Sequence, residues 1–225
     1  MKAPLHRMKK GEIVWLHNHY CKHGHNYLEH YTCYEKDHPD KIEKVGFLDI
    51  EATNLEANFG FMLTYCIKDG NSNQILSGTI NQEDIKKYPV DKPDKGLVEK
   101  CVTDMLKFDR IVAHYGRKFD LPFIRTRALI DGVKFPPYKS LAFDDTWRWA
   151  KDKLKLNSNR LETVCQTIFG ETNKTHIEYK YWVGGSRGDK KSLNYILDHN
   201  KKDVIDLERV WRALRDYVNI TESSI

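Results

Sequence analysis

From Val45 onward the chain alternates short apolar runs with stripes of helical period. The runs "KVGFLDIEAT" (44–53), "FGFMLTYCIK" (59–68) and "QILSGTI" (74–80) have strand length, and "KDGNSNQ" between the last two supplies turn residues. Their close spacing predicts an antiparallel meander. "KGLVEKCVTDMLKF" (95–108) puts Leu97, Cys101, Met105 and Phe108 on one helical face. "RIVAHY" (110–115) predicts a fourth strand, and "SLAFDD" (140–145) a short fifth one. Between them "DLPFIRTRALIDG" (120–132) predicts a helix with Asp120 as candidate N-cap and Pro122 in its first turn. Four more helices are predicted in "DTWRWAKDKL", "NRLETVCQTIF", "KKSLNYILDHN" and "KDVIDLERVWRALRDYV". This order specifies an α/β fold, a mixed five-stranded sheet flanked by helices.

The N-terminal part breaks the pattern. Seven of the ten histidines lie in the first 38 residues, five of them between His17 and His30. The expected division is a Cys/His-rich module over 1–44 and the sheet domain over 45–225. At 225 residues, 40% hydrophobic and 31% charged, the composition is that of a soluble globular protein. There is no run of about 18 apolar residues, and "MKAPLHRMKKGE" lacks the apolar core of a signal peptide. Both predict a cytoplasmic protein with no membrane partner. Five cysteines, an odd number scattered along the chain, argue against a disulfide framework. A net charge of +5 and a pI of about 8.8 are compatible with a nucleic-acid partner without demanding one.

Asp49 and Glu51 interrupt the first strand two residues apart, so they face the same side. Asp120 follows the fourth strand and a polar loop, where it is either a helix cap or a ligand. On the last helix Val204, Leu207, Trp211, Leu214 and Val218 form the apolar stripe. Asp203 lies about 50° from its centre and Asp206 about 110° away, so Asp206 is expected to reach water and Asp203 to be held inward. His199 precedes Asp203 by one turn. Four carboxylates converging at one sheet edge would repel one another unless cations sat among them. Hard oxygen ligands select Mg²⁺ or Mn²⁺, and two such ions are the common device for cleaving a phosphodiester.

In combination, "FLDIEATNL", "HYGRKFDLPFIRTRAL" and "HNKKDVIDLERVW" are similar to the three motifs of the DEDD (DnaQ-like) 3′–5′ exonuclease superfamily. The resemblance covers 45–218 and is to the branch related to polymerase-B proofreading domains and YprB-like proteins. It implies a ribonuclease-H-like fold and release of nucleoside monophosphates from single-stranded 3′ ends of DNA or RNA. It also implies that Asp49 bridges two Mg²⁺ or Mn²⁺ ions, that Glu51 and Asp203 complete the nucleophile's ion, and that Asp120 serves the other. His199 stands where this branch usually has Tyr; its implied role is to orient or deprotonate the attacking water, which suits a side chain of pKa about 6.5. Ala52, Thr53, Asn54 and Leu55 would lie beside the terminal nucleotide, with Leu55 as a wedge. Tyr115 occupies a place where the family often has Asn. Arg117, Lys118, Lys201 and Lys202 are read either as phosphate contacts or as solvated loop charges. Trp147, Trp149, Tyr179, Tyr181 and Trp182 are read as packing residues, with base stacking as the alternative. A structure-specific endonuclease and an inert nucleic-acid-binding module are the alternative functions. With no polymerase sequence attached, proofreading would need a polymerase or another repair or replication protein in trans.

"LHNHYCKHGHNYLEHYTCYEKDH" (16–38) offers ligands for a structural Zn²⁺. His30-x-x-Cys33 is one pair; its mate is Cys21 with His25, or with His23 as the less comfortable choice. The rival reading is a polar arm that binds no metal. A metal would give so short a segment most of its fold.

Overall fold

The computed structural model describes residue 3 and residues 8–218. The leading stretch that bears on a targeting segment lies partly outside them. The chain divides into two compact units, Met1–Glu43 and Lys44–Ile225. Among the described residues no helix is long and apolar enough to cross a membrane.

In the larger unit, β1 (Val45–Ala52), β2 (Met62–Asp69), β3 (Ile75–Thr79), β4 (Arg110–Ala113) and β5 (Ala142–Asp145) form one sheet of order β3-β2-β1-β4-β5. The first three pair antiparallel, as the meander predicts, while β1–β4 and β4–β5 are parallel. β1 is central, and residues 45–48 and 50 are buried, which is why its sequence is an apolar run rather than an alternation. Its two faces feed two cores. Leu48 and Ile50 pack with Tyr65, Ile67, Ile111 and Phe143 beneath α4 (Lys95–Met105) and α5 (Asp120–Asp131). Val45 and Phe47 pack on the other face with Cys66, Val112, Val204, Leu207 and Trp211.

That second face is covered by the 25-residue helix Lys190–Leu214, where the hydrophobic pattern predicts two helices. "HNKK" is polar but contains no Pro or Gly to stop it, and Asp189 caps its start by accepting from Ser192 N–H at 2.8 Å. Asp144 on β5 ties the helix to the sheet, accepting from the Trp211 indole N–H and from Arg110, both at 2.9 Å. Among the described residues the larger unit's other α-helices are α3 (Gln82–Lys87), α6 (Thr146–Lys153), α7 (Leu161–Phe169) and α8 (Tyr179–Ser186), so the long helix is α9. The sequence reading did not foresee α3 or α8.

Among the described residues the smaller unit has two α-helices, α1 (Lys10–Asn18) and α2 (Tyr31–Asp37), a bridge between Tyr20 and Asn26, and a 3-10 turn at Pro39–Lys41. Its buried apolar residues are Leu16, Cys21, Tyr27 and Tyr34. All five cysteines are free thiols.

Candidate active site

β1 pairs with β4 only through Phe47, so Asp49 and Glu51 extend past the last rung, at the carboxyl end of the parallel strands. A register shift between Glu51 and Ala52 bends the strand there. Asp49 and Glu51 share the face of Phe47, toward α9. α9 delivers Asp203, and one oxygen each from Asp49, Glu51 and Asp203 lies within 4.8 Å of the others. Asp120 is not in that trio but adjoins it. It is the first residue of α5, 2% exposed, and its Oδ1 accepts the Ile50 N–H of β1 at 3.2 Å. It is therefore no helix cap: its carboxylate is turned to the strand between the two acids.

The cluster is short of positive charge. Burial pushes the Asp49 carboxyl well above the usual range, and Asp203, Asp120 and Glu51 push it further. Burial, then repulsion from Asp203, raises Glu51 to about 8. Asp120 is raised to about 7, chiefly by burial, against hydrogen bonds from its own N–H and that of Ile50. Asp203 is also raised by burial, although Lys174 pulls it down. Lys174 is the nearby cation, Nζ 3.6 Å from Asp203 Oδ2. Burial alone would lower its pKa, but attraction to Asp203, Asp49 and Glu51 outweighs that and raises it. Asp203 Oδ1 is buried with no hydrogen-bond partner.

Asn200 holds one acid of the cluster in place, and His199 stands beside it. Asn200 Nδ2 donates to Asp49 Oδ2 at 2.7 Å. His199, 5% exposed, has its Nδ1 within 2.5 Å of the Thr175 hydroxyl and 3.1 Å of the Thr175 carbonyl. His199 lines a cleft of about 260 Å³ with Glu51, Lys174, Thr175, Trp182 and Asp203. The sequence reading did not foresee Lys174 or Asn200. Asn200 had a signal, since it lies three residues before Asp203 on one helix and so shares its face; Lys174, in a loop, had none. Asp206 is a correction. It was expected to reach water, yet it is fully buried, because the segment 170–178 folds over that side of α9.

The expected substrate contacts are dispersed around this centre. Thr53 closes the loop after β1, its Oγ1 accepting from Phe61 N–H at 3.0 Å. Asn54 Oδ1 accepts from Glu56 N–H within the loop. Leu55 is 78% exposed at its tip, as is Phe59 at 81%. Tyr115 is exposed, edge-on to Trp147, at φ +68°, a left-handed conformation that Asn tolerates better than Tyr. Asp145 holds that turn, accepting from the N–H groups of Tyr115 and Arg117. Lys118 is exposed, Arg117 stacks over Phe143, and Lys201 pairs with Asp198 at 3.3 Å. Trp149 packs against the α9-side core and Tyr181 stacks on Tyr195, while Tyr179 is 80% exposed.

In the smaller unit, Cys21, His23, His30 and Cys33 come together. His25, the preferred fourth ligand, is outside this group. Gly24 turns the chain at φ +79°, directing His23 to the thiols, whereas His25 packs on the His30 ring.

A five-stranded mixed sheet carrying acidic residues at the carboxyl end of its central strands, crossed by a C-terminal helix with a further acid, defines a ribonuclease-H-like protein. The family model of the RNase_H superfamily matches residues 46–215, and the chain belongs to that superfamily. Among solved structures it is similar to the family B DNA polymerase from the hyperthermophilic archaeon Pyrobaculum calidifontis, with a TM-score of 0.63 and 16% identity. The match covers 78% of this chain and 25% of the polymerase, so the chain spans about a quarter of that protein's length. The likeness is one of fold. No curated protein matches the sequence.

Proposed function

We propose that the chain is a divalent-metal-dependent 3′–5′ exonuclease of the DEDD type that shortens single-stranded nucleic acid from its 3′ end. The observation that carries this reading is the meeting of Asp49, Glu51 and Asp203 within 4.8 Å, with Asp120 bonded to the same strand. The donors fit Mg²⁺ or Mn²⁺: they are hard oxygens, their proton affinities are raised, and Asp203 Oδ1 has no protein partner. Asp49, Glu51 and Asp203 would hold such ions, with Asp120 beside them. Bound there, the ions supply a lowered pKa for the attacking water and stabilisation of the leaving 3′ oxygen.

The chain's own groups do the positioning. Asn200 fixes the Asp49 carboxylate, and the Ile50 N–H fixes that of Asp120. His199, its ring steadied by Thr175, borders the cleft beside Glu51 and Asp203, where it orients the attacking water or takes its proton. Lys174 partly offsets the charge of the acids and gives the incoming phosphate a cation. The exposed Leu55 is placed to wedge against a terminal base, and Tyr115 and Lys118 flank the approach.

The test is a panel of 5′-end-labelled single-stranded DNA and RNA with Mg²⁺ or Mn²⁺. A ladder shortening from the 3′ end, lost in Asp49→Asn and Asp203→Asn, supports the proposal. Internal cuts would replace it with an endonuclease, and retention without cutting with a binding module. Persistent cleavage in either variant would refute the assignment of the metal ligands.

A further inference from the structure

We propose that Cys21, His23, His30 and Cys33 form a structural zinc site that holds the smaller unit together. The four ligand atoms lie within 4.8 Å of one another. The contacts between them decide the geometry. Cys21 Sγ is 3.7 Å from Nδ1 of both His23 and His30, and Cys33 Sγ is 3.5 Å from the same two nitrogens. A tetrahedral Zn²⁺ with Zn–S of about 2.3 Å and Zn–N of about 2.05 Å has S···N edges of about 3.6 Å. All four S···N edges match that value, and both histidines present the same nitrogen. A set of thiols and imidazoles that merely packed together would have no reason to equalise these four distances.

The backbone builds the site from two pieces. The first is a tight turn, with Cys21 N–H donating to the His25 carbonyl and Gly24 N–H to the Cys21 carbonyl, each at 2.9 Å; it brings Cys21 and His23 together. The second is the start of the helix Tyr31–Asp37, where Cys33 N–H donates to the His30 carbonyl at 2.9 Å and gathers that pair. Among its described residues the fully buried apolar side chains are Leu16, Cys21, Tyr27 and Tyr34, a small core. In such a unit, metal binding and folding are one equilibrium. The ligand class is a borderline-soft divalent ion: thiolates and imidazoles take Zn²⁺, whereas Mg²⁺ and Mn²⁺ prefer carboxylate oxygens. This site does not depend on the nuclease reading.

The experiment uses the full chain, reduced and purified without chelator, in the Asp203→Asn background so that the carboxylate cluster does not compete. Elemental analysis is expected to find about one zinc per chain, and Co²⁺ replacement to give a thiolate-to-cobalt charge-transfer band with tetrahedral d–d bands. His23→Ala is expected to weaken Zn²⁺ affinity at least about 100-fold, and His25→Ala to change it by less than about threefold. Zinc well below half an equivalent with no charge-transfer band would overturn the site. So would a His25→Ala loss larger than that of His23→Ala. The Co²⁺ spectrum of the protein with all four ligands intact decides the matter even if His23→Ala does not fold.

Discussion

Glu51→Gln should make the metal-free protein more stable, and by an amount that depends on pH. Glu51 carries a pKa raised from 4.5 to about 8 by burial and by Asp203. Between those values the folded protein binds a proton that the unfolded chain has released, so metal-free stability falls as pH rises through that window. Each tenfold gain in proton affinity is worth about 1.4 kcal/mol, which sets a ceiling of about 5 kcal/mol above pH 8. Glu51 is only half-buried, and water screening at the cleft reduces this to about 2–3 kcal/mol. Gln cannot ionise and escapes the loss. Urea unfolding in Mg²⁺- and Mn²⁺-free buffer should therefore show near-equal stability at a pH of about 4.5, and an advantage of about 2–3 kcal/mol for Glu51→Gln at a pH of about 8.5. Adding Mn²⁺ at the higher pH should reverse the order, because bound ligand stabilises the parent protein more. An advantage that is largest in acid, or absent at pH 8.5, would refute the account of a charge-starved carboxylate cluster.

Lys174→Ala should act in the opposite sense. It removes the cation 3.6 Å from Asp203 and should destabilise the metal-free protein at pH 8 by about 1–3 kcal/mol, with a smaller loss in Mn²⁺ when measured by the same unfolding curves. Asn200→Ala deletes the 2.7 Å bond to Asp49 and should lower turnover roughly 10–100-fold in the end-labelled assay while leaving substrate retention unchanged; unaltered turnover would remove its positioning role. Arg127→Met should cost about 3–5 kcal/mol in urea unfolding. It strands the fully buried Asp94 and frees the Ala57 carbonyl, to which Arg127 also donates, in the loop carrying Leu55.

The strands were readable because β1, β2 and β4 are buried on both faces and so are written as apolar runs; the acids of β1 stand out against that background. The convergence of Asp120 with β1 was less visible, since an aspartate opening a helix looks like a cap until the strand beside it is known. α8 escaped because "WVGGS" has poor helix propensity. Its glycines serve packing instead: a Cβ at Gly184 would collide with Ser192 of α9, and one at Gly185 would press on the end of the Ile196 side chain. The choice of His23 over His25 rests on one turn at Gly24, a detail of backbone direction that ligand spacing does not encode.

Asp203 and Asp206, three residues apart on α9, show why a helical wheel could rank them and still misplace one. Asp206 receives Thr172 Oγ1 at 2.9 Å, the Asn173 backbone and side-chain N–H groups at 2.7 and 2.6 Å, and Arg209 at 3.1 Å. With those donors a buried carboxylate is satisfied by protein alone and has no need of an ion. Asp203, nearly as buried, has one oxygen with no donor and a single lysine near the other. That contrast, rather than depth, separates a structural acid from a candidate ligand. The two are nonetheless linked, because the segment Asp206 fastens at 172 and 173 continues into Lys174, beside Asp203, and Thr175, which holds the His199 ring. The acid satisfied by protein alone thus sets the position of the loop that faces the candidate ligand.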